Sequence, residues 1–251
     1  LENRLDARVG FAIYDLESEQ SWEYRADERF AMASTFKVLA CAALLAGGET
    51  LTSTTVTINA QDLLAYAPVT ERLVGKEVEA SGLCEATMRT SDNTAANKVL
   101  EVLGGPDAVT NFVRTIGDQT TRLDRWEPEL NEAQPGSVLD TTTPYAMAAS
   151  LRSIVLGEGL PTAEQEQIRS WLRSNEVGGP LLRAGVPANW RVGDRTGAGG
   201  HGTRGIVAVM WPPGSKPVIA AIYLTETTAS IEDRNAAIAE IGATLAAVLS
   251  K

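Results

Sequence analysis

The period of the apolar positions changes along the chain. Near the start, Val9, Phe11 and Ile13 alternate with other residues before Asp15, and Ser21 to Arg25 follows a polar turn. A period of two puts alternate side chains on one face, which predicts two strands. The last quarter reads similarly. Trp190 to Thr196, Gly205 to Trp211 and Val218 to Thr225 are strand-like, separated by glycine-rich or Pro-Gly turns such as Pro212-Pro213-Gly214. Short connections imply antiparallel pairing. Ile231 to Leu249 then has helical spacing through Ile231, Ala237, Ile238, Ile241, Leu245 and Leu249.

The middle of the chain predicts helices. Thr35 to Leu45, Leu83 to Thr90, Thr94 to Leu103, Pro106 to Ile116, Pro144 to Leu156 and Ala163 to Ser174 all show apolar spacing near 3.6. Thr143-Pro144 places proline at a first helical position, and Thr162, with Gln165 three residues on, predicts a capped start. Thr120 to Thr142 has turn residues and no period, so a long ordered loop is expected there; such loops are commonly functional. Strands at both ends around central helices predict a five-stranded antiparallel sheet flanked by terminal helices. That α/β unit would comprise residues 1–27 and 178–251, with an all-helical unit, residues 28–177, inserted and a site between them.

A chain of 251 residues can bury a sizeable core unaided. Its 44% hydrophobic and 22% charged content excludes wholesale disorder, collagen and coiled coil. The net charge of −10 disfavours nucleic acid as a partner, because its phosphates would be repelled over most of the surface. The longest apolar run, Val38 to Ala46, is far below the roughly 20 residues that cross a bilayer. No signal-peptide pattern is present, so a soluble chain without membrane contact is expected, cytosolic or already processed. One histidine, His201, and two cysteines, Cys41 and Cys84, make a metal-dependent mechanism poorly supported, and no cofactor is expected. The cysteines could form one disulfide or remain two buried thiols. No apolar stripe argues for a partner subunit, so a monomer is expected.

Four stretches could carry chemistry. In Ser34-Thr35-Phe36-Lys37 a spacing of three puts a hydroxyl and an amine on one face at the start of an apolar helix. The positive helix end favours developing negative charge, and the amine can relay a proton. Alone, Ser-x-x-Lys is a weak signal expected about once in a chain of this size. Ser91-Asp92-Asn93 lies between two predicted helices and reads equally as a helix cap. Glu127 and Asn131 lie four apart in the long loop, where carboxylate and amide can hold one water; a solvated acidic loop is the plain alternative. Arg125 and Asp140 flank them and could pin the loop. Finally, Arg195-Thr196-Gly197-Ala198-Gly199-Gly200 ends a strand, with Arg204 beginning the next. Small residues admit a close neighbour, and arginine beside a hydroxyl suits a carboxylate, although a glycine-rich hairpin with solvated arginines fits as well.

Each stretch is weak, but their order is specific. Ser-x-x-Lys, Ser-Asp-Asn, Glu-x-x-Leu-Asn and a basic residue before Thr-Gly together resemble the class A serine β-lactamases, through nearly the whole chain from Arg29-Phe30 to Asp233-Arg234-Asn235. The resemblance implies the β-lactamase/transpeptidase-like fold and hydrolysis of the β-lactam amide of penicillins, conferring antibiotic resistance. It implies Ser34 as nucleophile, with the backbone N–H groups of Ser34 and Ala198 as oxyanion hole. Glu127 and Asn131 would activate the water that releases product, Lys37 or Glu127 would accept the proton during acylation, and Ser91 would pass one to the leaving nitrogen. Asn93 would bind the substrate's side-chain amide, Tyr66 would stand at the rim, and Arg195, Thr196, Gly197 and Arg204 would hold its carboxylate. The resemblance also implies a Cys41–Cys84 disulfide, a periplasmic or secreted location after removal of a signal peptide, and Glu2 to Ala7 as the tail of an amino-terminal helix.

The usual Lys-Thr-Gly is Arg-Thr-Gly here, as in the carbenicillin-hydrolysing subgroup, so carboxypenicillins are expected among the substrates. Arginine cannot readily act as a base, which removes a proton-relay role for that position. Ala33 and Gly199 are not cysteines, so the disulfide of several carbapenem-hydrolysing members is not expected, nor is strong carbapenem hydrolysis. His201 is expected to be an exposed bystander. The competing readings are a penicillin-binding DD-peptidase and a penicillin sensor that acylates without fast release; both lack the Glu127 water site.

Overall fold

The computed structural model describes residues 1–250. Five strands form the sheet: β1 (Arg8–Asp15), β2 (Ser21–Tyr24), β3 (Arg191–Ala198), β4 (Arg204–Trp211) and β5 (Val218–Thr225). Their spatial order is β2-β1-β5-β4-β3, with every pairing antiparallel. Chain-end strands therefore meet at the centre, where β1 pairs β5. The larger helices are α1 (Lys37–Ala46), α2 (Ala80–Thr90), α3 (Asn93–Leu103), α4 (Pro106–Thr115), α5 (Pro144–Leu156), α6 (Thr162–Arg173) and α7 (Ile231–Leu249).

Alternation along the sheet strands creates two cores. Ile206, Ala208 and Met210, with Ala220 and Ile222, pack against Ile238 and Leu245 of α7. Val207 and Val209, with Ile219, Ala221 and Tyr223, face the other way and join the core made by α1 to α6. Both faces of the central strands are thus covered, which accounts for their continuous apolar runs. α1 runs through the middle of the helices with every residue from Lys37 to Leu45 buried. A Cys41–Cys84 disulfide ties it to α2. No helix among the described residues is long and apolar enough to cross a membrane.

Local signals hold in some places and fail in others. Thr143 caps α5 by accepting a hydrogen bond from the Ala146 N–H, and Asp92 caps α3 through Ala95. Thr162 does not cap α6. Pro161 occupies the cap position, Thr162 is already helical, and the Gln165 side chain donates to the carbonyls of Gly157 and Leu160 instead. Glu2–Leu5 forms one helical turn. A helix at Gly48–Thr52, another at Leu182–Gly185 and a small ladder of Thr55–Thr57 with Glu77–Glu79 had no clear periodic signal, because each is too short to show one.

Candidate active site

Ser34 lies in a tight 3-10 turn, Ala33–Phe36, that runs directly into α1. The preceding Ala33 is left-handed, with φ of 41°. Ser91 ends α2 in the same region of backbone space, with φ of 66°. Side chains other than glycine seldom sit there without cost, and such strain concentrates at functional sites.

The Lys37 amine is the hub. Its Nζ is 3.0 Å from Glu127 Oε1 and donates to Asn93 Oδ1 at 2.6 Å. It also donates to the Ser91 carbonyl at 3.0 Å and the Ser91 hydroxyl at 3.3 Å. Ser91 Oγ donates to Ser34 Oγ at 3.3 Å, and Ser34 Oγ donates to Glu127 Oε1 at 3.4 Å. Lys37 and Glu127 are buried and Ser34 is nearly so. Burial pushes the Lys37 amine down to about 8; the Glu127 carboxylate pulls the other way, and the Arg195 cation reinforces the drop. A serine hydroxyl thus faces one buried carboxylate and one hydroxyl that an amine of reduced basicity touches.

Each member has a local reason for its place. Asp92, between Ser91 and Asn93, accepts the N–H groups of Ala95, Val69 and Thr70, so it fixes the turn while its neighbours reach Lys37. Glu127 is held by a pair sequence reasoning missed: Asn97 Nδ2 donates to the Glu127 carbonyl at 2.8 Å, and the Glu127 N–H donates to Asn97 Oδ1 at 2.9 Å. Asn97 is one polar residue on a helix, and only the returning loop gives it a partner. Arg125 pairs with Asp140 at 2.6 Å, as expected, and Asp140 also accepts the N–H groups of Asp124 and Arg125. Asn131 Nδ2 donates to Glu127 Oε2, while its Oδ1 has no partner within the chain.

The far wall is β3 and β4. Arg195 is fully buried, and its Nη2 donates to Ser91 Oγ. Its Nε and Nη1 have no partner within the chain. Burial pushes this guanidinium down to about 10, against the pull of Asp194 and Glu127. Asp194 is itself engaged by Arg183 at 2.6 Å and by Asn175, a cluster with no sequence signal. Arg204 donates to the Gly197 carbonyl at 3.1 Å and to Asn235 Oδ1 at 2.8 Å; burial, then the neighbouring Arg234, holds it at about 10. The small residues admit close neighbours, as expected. A Cβ on Gly197 would lie 2.8 Å from the Met32 carbonyl oxygen. The Gly200 N–H donates to the Asn131 carbonyl at 2.8 Å, so the strand end carries the loop.

A groove of about 410 Å³ opens onto this assembly. Ser34, Ser91, Asn131, Thr196 and Arg204 line it, with half-exposed Tyr66 at its mouth. Asn93, Gly197 and Ala198 complete the expected set, whereas Lys37, Glu127 and Arg195 lie buried behind it. Val177 and Ile231 also line the groove and carried no chemical signal in the sequence. His201 is exposed. No cluster of three or more His, Cys, Asp or Glu side chains that could hold a metal occurs among the described residues.

Known proteins are similar to this chain over most of their own length. The sequence model of the β-lactamase enzyme family matches residues 1–249. Beta-lactamase AER-1 of Aeromonas hydrophila is 47% identical over 97% of this chain and 82% of its own length. Beta-lactamase PSE-4 of Pseudomonas aeruginosa is 46% identical over 96% of this chain and 85% of its own. Among solved structures, an ancestral class A β-lactamase of Gram-negative bacteria superposes with a TM-score of 0.96 at 50% identity, covering 98% of this chain and 96% of that one. The chromosome-encoded β-lactamase of Vibrio parahaemolyticus gives 0.97 at 41% identity, covering 100% and 96%. The chain belongs to the β-lactamase enzyme family, as a class A member.

Proposed function

We propose that this β-lactamase opens the lactam amide of penicillins through an acyl-enzyme on Ser34. The observation that supports the reading most is that Ser91 and Glu127, the two groups bonded to the Ser34 hydroxyl, both meet one buried amine, Lys37. Ser34 Oγ attacks the lactam carbonyl, and its proton passes to Glu127 or Lys37. The Ser34 and Ala198 N–H groups receive the carbonyl oxygen as it becomes an oxyanion, a contribution of roughly 3 kcal/mol per donor. Ser91, bonded to both Ser34 and Lys37, returns a proton to the departing ring nitrogen. The Asn131 amide and the Glu127 carboxylate then hold a water, Glu127 takes its proton, and the ester is hydrolysed.

Arg195, Thr196 and Arg204 bind the substrate's ring carboxylate. The two unpartnered nitrogens of buried Arg195 favour an anion there, because a buried cation lacking acceptors is costly. The planar fork of Arg195 also extends the substrate range to carboxypenicillins. Asn93 receives the side-chain amide, and Tyr66 bounds the groove. In this reading residues 1–27 with 178–251 form the sheet unit, residues 28–177 form the helical unit, and the site lies in the seam. The enzyme works as a monomer, without nucleic acid, membrane, metal or cofactor, in the periplasm or outside the cell. An oxidising compartment suits its disulfide.

Benzylpenicillin at large excess tests the reading. Sustained loss of the lactam absorbance is the expected result. Consumption of one equivalent followed by a plateau would overturn hydrolysis in favour of acylation without release.

A further inference from the structure

Strand register aligns a row of four residues straight across the sheet. Gly197 of β3 faces Gly205 of β4, Gly205 faces Tyr223 of β5, and Tyr223 faces Gly10 of β1. Three glycines in one cross-strand row remove the side chains that would otherwise fill that line. Glycine inside a strand weakens it and commonly marks the close approach of another group.

The space is filled by the Tyr223 ring and by the segment that leads to the nucleophile. A Cβ on Gly10 would lie 2.6 Å from Phe30 Cζ. One on Gly205 would lie 2.8 Å from Tyr223 Cδ1, and one on Gly197 would lie 2.8 Å from the Met32 oxygen and 3.1 Å from the Ser34 nitrogen. Phe30 and Tyr223 stack with ring centroids 6.0 Å apart. Residues Phe30 to Ser34 therefore lie along a trough in the sheet, and the nucleophile's turn rests at its β3 end.

One polar contact fastens that turn. Thr35 Oγ1 donates to the Met32 carbonyl at 2.8 Å, which uses its only proton. The Tyr223 hydroxyl, 3.0 Å away, must then donate to Thr35 Oγ1. Tyr223 is fully buried, and burial pushes its phenol up, so it stays a donor. We propose that Tyr223 is a positioning residue for acylation: its hydroxyl, through Thr35, holds the Met32–Thr35 turn in the glycine trough and so sets where the Ser34 hydroxyl and N–H point. This inference rests on the reading of Ser34 as the nucleophile. A displacement near 1 Å at reacting atoms can cost roughly a hundredfold, so a fixed turn matters more than its few hydrogen bonds indicate.

The test is single-turnover acylation by benzylpenicillin with enzyme in excess, on protein shown folded by its melting curve. Tyr223→Phe removes one oxygen. It is expected to lower the acylation rate constant about tenfold while the dissociation constant for intact benzylpenicillin stays within about twofold. Thr35→Val, which removes the bonds to both Tyr223 and the Met32 carbonyl, should lose at least as much and Thr35→Ser should restore the rate, a pair that reads the hydroxyl link even if Tyr223→Phe does not fold. Parental acylation rates in Tyr223→Phe or Thr35→Val, or equal losses in Thr35→Val and Thr35→Ser, would overturn the proposal. A folded Glu127→Ala protein that consumes the lactam with no penicilloyl adduct on Ser34 would instead overturn the nucleophile reading, and that control is run first.

Discussion

The two faces of the sheet are built to different rules. The face under α7 is a plain apolar surface: Ile206, Ala208, Met210, Val218, Ala220 and Ile222 meet Leu181, Leu182, Ile238 and Leu245. The face toward the helices carries Val207, Val209, Ile219 and Ala221, but also the glycine row, the Tyr223 phenol and, on β3, buried Arg195; Arg204 of β4 alternates to the other face, where it bonds Asn235 of α7. The face under α7 contributes stability chiefly through apolar area. The other gives up side chains at three positions, two that admit the rings of Phe30 and Tyr223 and one, Gly197, that lets the backbone turn come close. Apolar volume does not mark the site either. A groove of about 290 Å³ beside α7, lined by Phe11, Ile13, Trp22, Ile241 and Val248, is nearly all hydrocarbon, whereas the polar lining of the groove over Ser34 comprises hydroxyls, two amides and a guanidinium.

The difference makes substitutions on the two sides fail differently. The largest effect belongs to Glu127→Ala, which is expected to slow deacylation by roughly 10²–10⁴-fold, the usual share of a general base, with little loss of fold. The same variant sharpens the role of the amine. Glu127 holds the Lys37 pKa up, so its removal should drop the amine below its present value of about 8. The neutral, proton-accepting form then grows as pH rises through that lower value. Acylation by the variant should rise with pH through an inflection below 8. A flat profile over the same range would contradict Lys37 as proton acceptor.

On the opposite face, Ile222→Ala should cost about 2–5 kcal/mol in denaturant unfolding, because the buried side chain leaves a cavity under α7. Benzylpenicillin kinetics per folded molecule should stay at the parental value; a loss of rate with intact stability would mean that the faces are not separable. The smallest effect is a change of preference. Arg195→Lys keeps the charge but loses the planar fork, so the carbenicillin-to-benzylpenicillin ratio of kcat/KM should fall by roughly two- to tenfold. An unchanged ratio would remove this position from substrate choice.

Much of this was legible in the sequence, for physical reasons. Ile231–Leu249 falls where a helical period puts it, because its buried face repeats, whereas Val218–Thr225, covered on both faces, is legible as a short apolar run bounded by turns. The site was legible through short local motifs, since Ser34 and Lys37, or Ser91 and Asn93, are neighbours in the chain as well as in space. What escaped were partnerships across the fold. Asn97 meets Glu127 thirty residues away, Asp194 meets Asn175 and Arg183, and Tyr223 meets Thr35 across 188 residues. The glycines at positions 10, 197 and 205 were visible flags, but only the strand register shows that they form one row. The failed cap at Thr162 has a simpler cause: Pro161 already supplies the extended residue that a helix start requires, so the helix begins one residue early.

The central claim is that Ser34 forms an ester that Glu127 is needed to release. Its most direct measurement is intact mass followed by peptide mapping after brief exposure of the Glu127→Ala variant to benzylpenicillin. One added benzylpenicillin mass is expected on nearly every molecule, carried by the peptide containing Ser34 and absent from Ser34→Ala. An adduct on another residue, or none on a folded Glu127→Ala protein that still consumes the lactam, would contradict it.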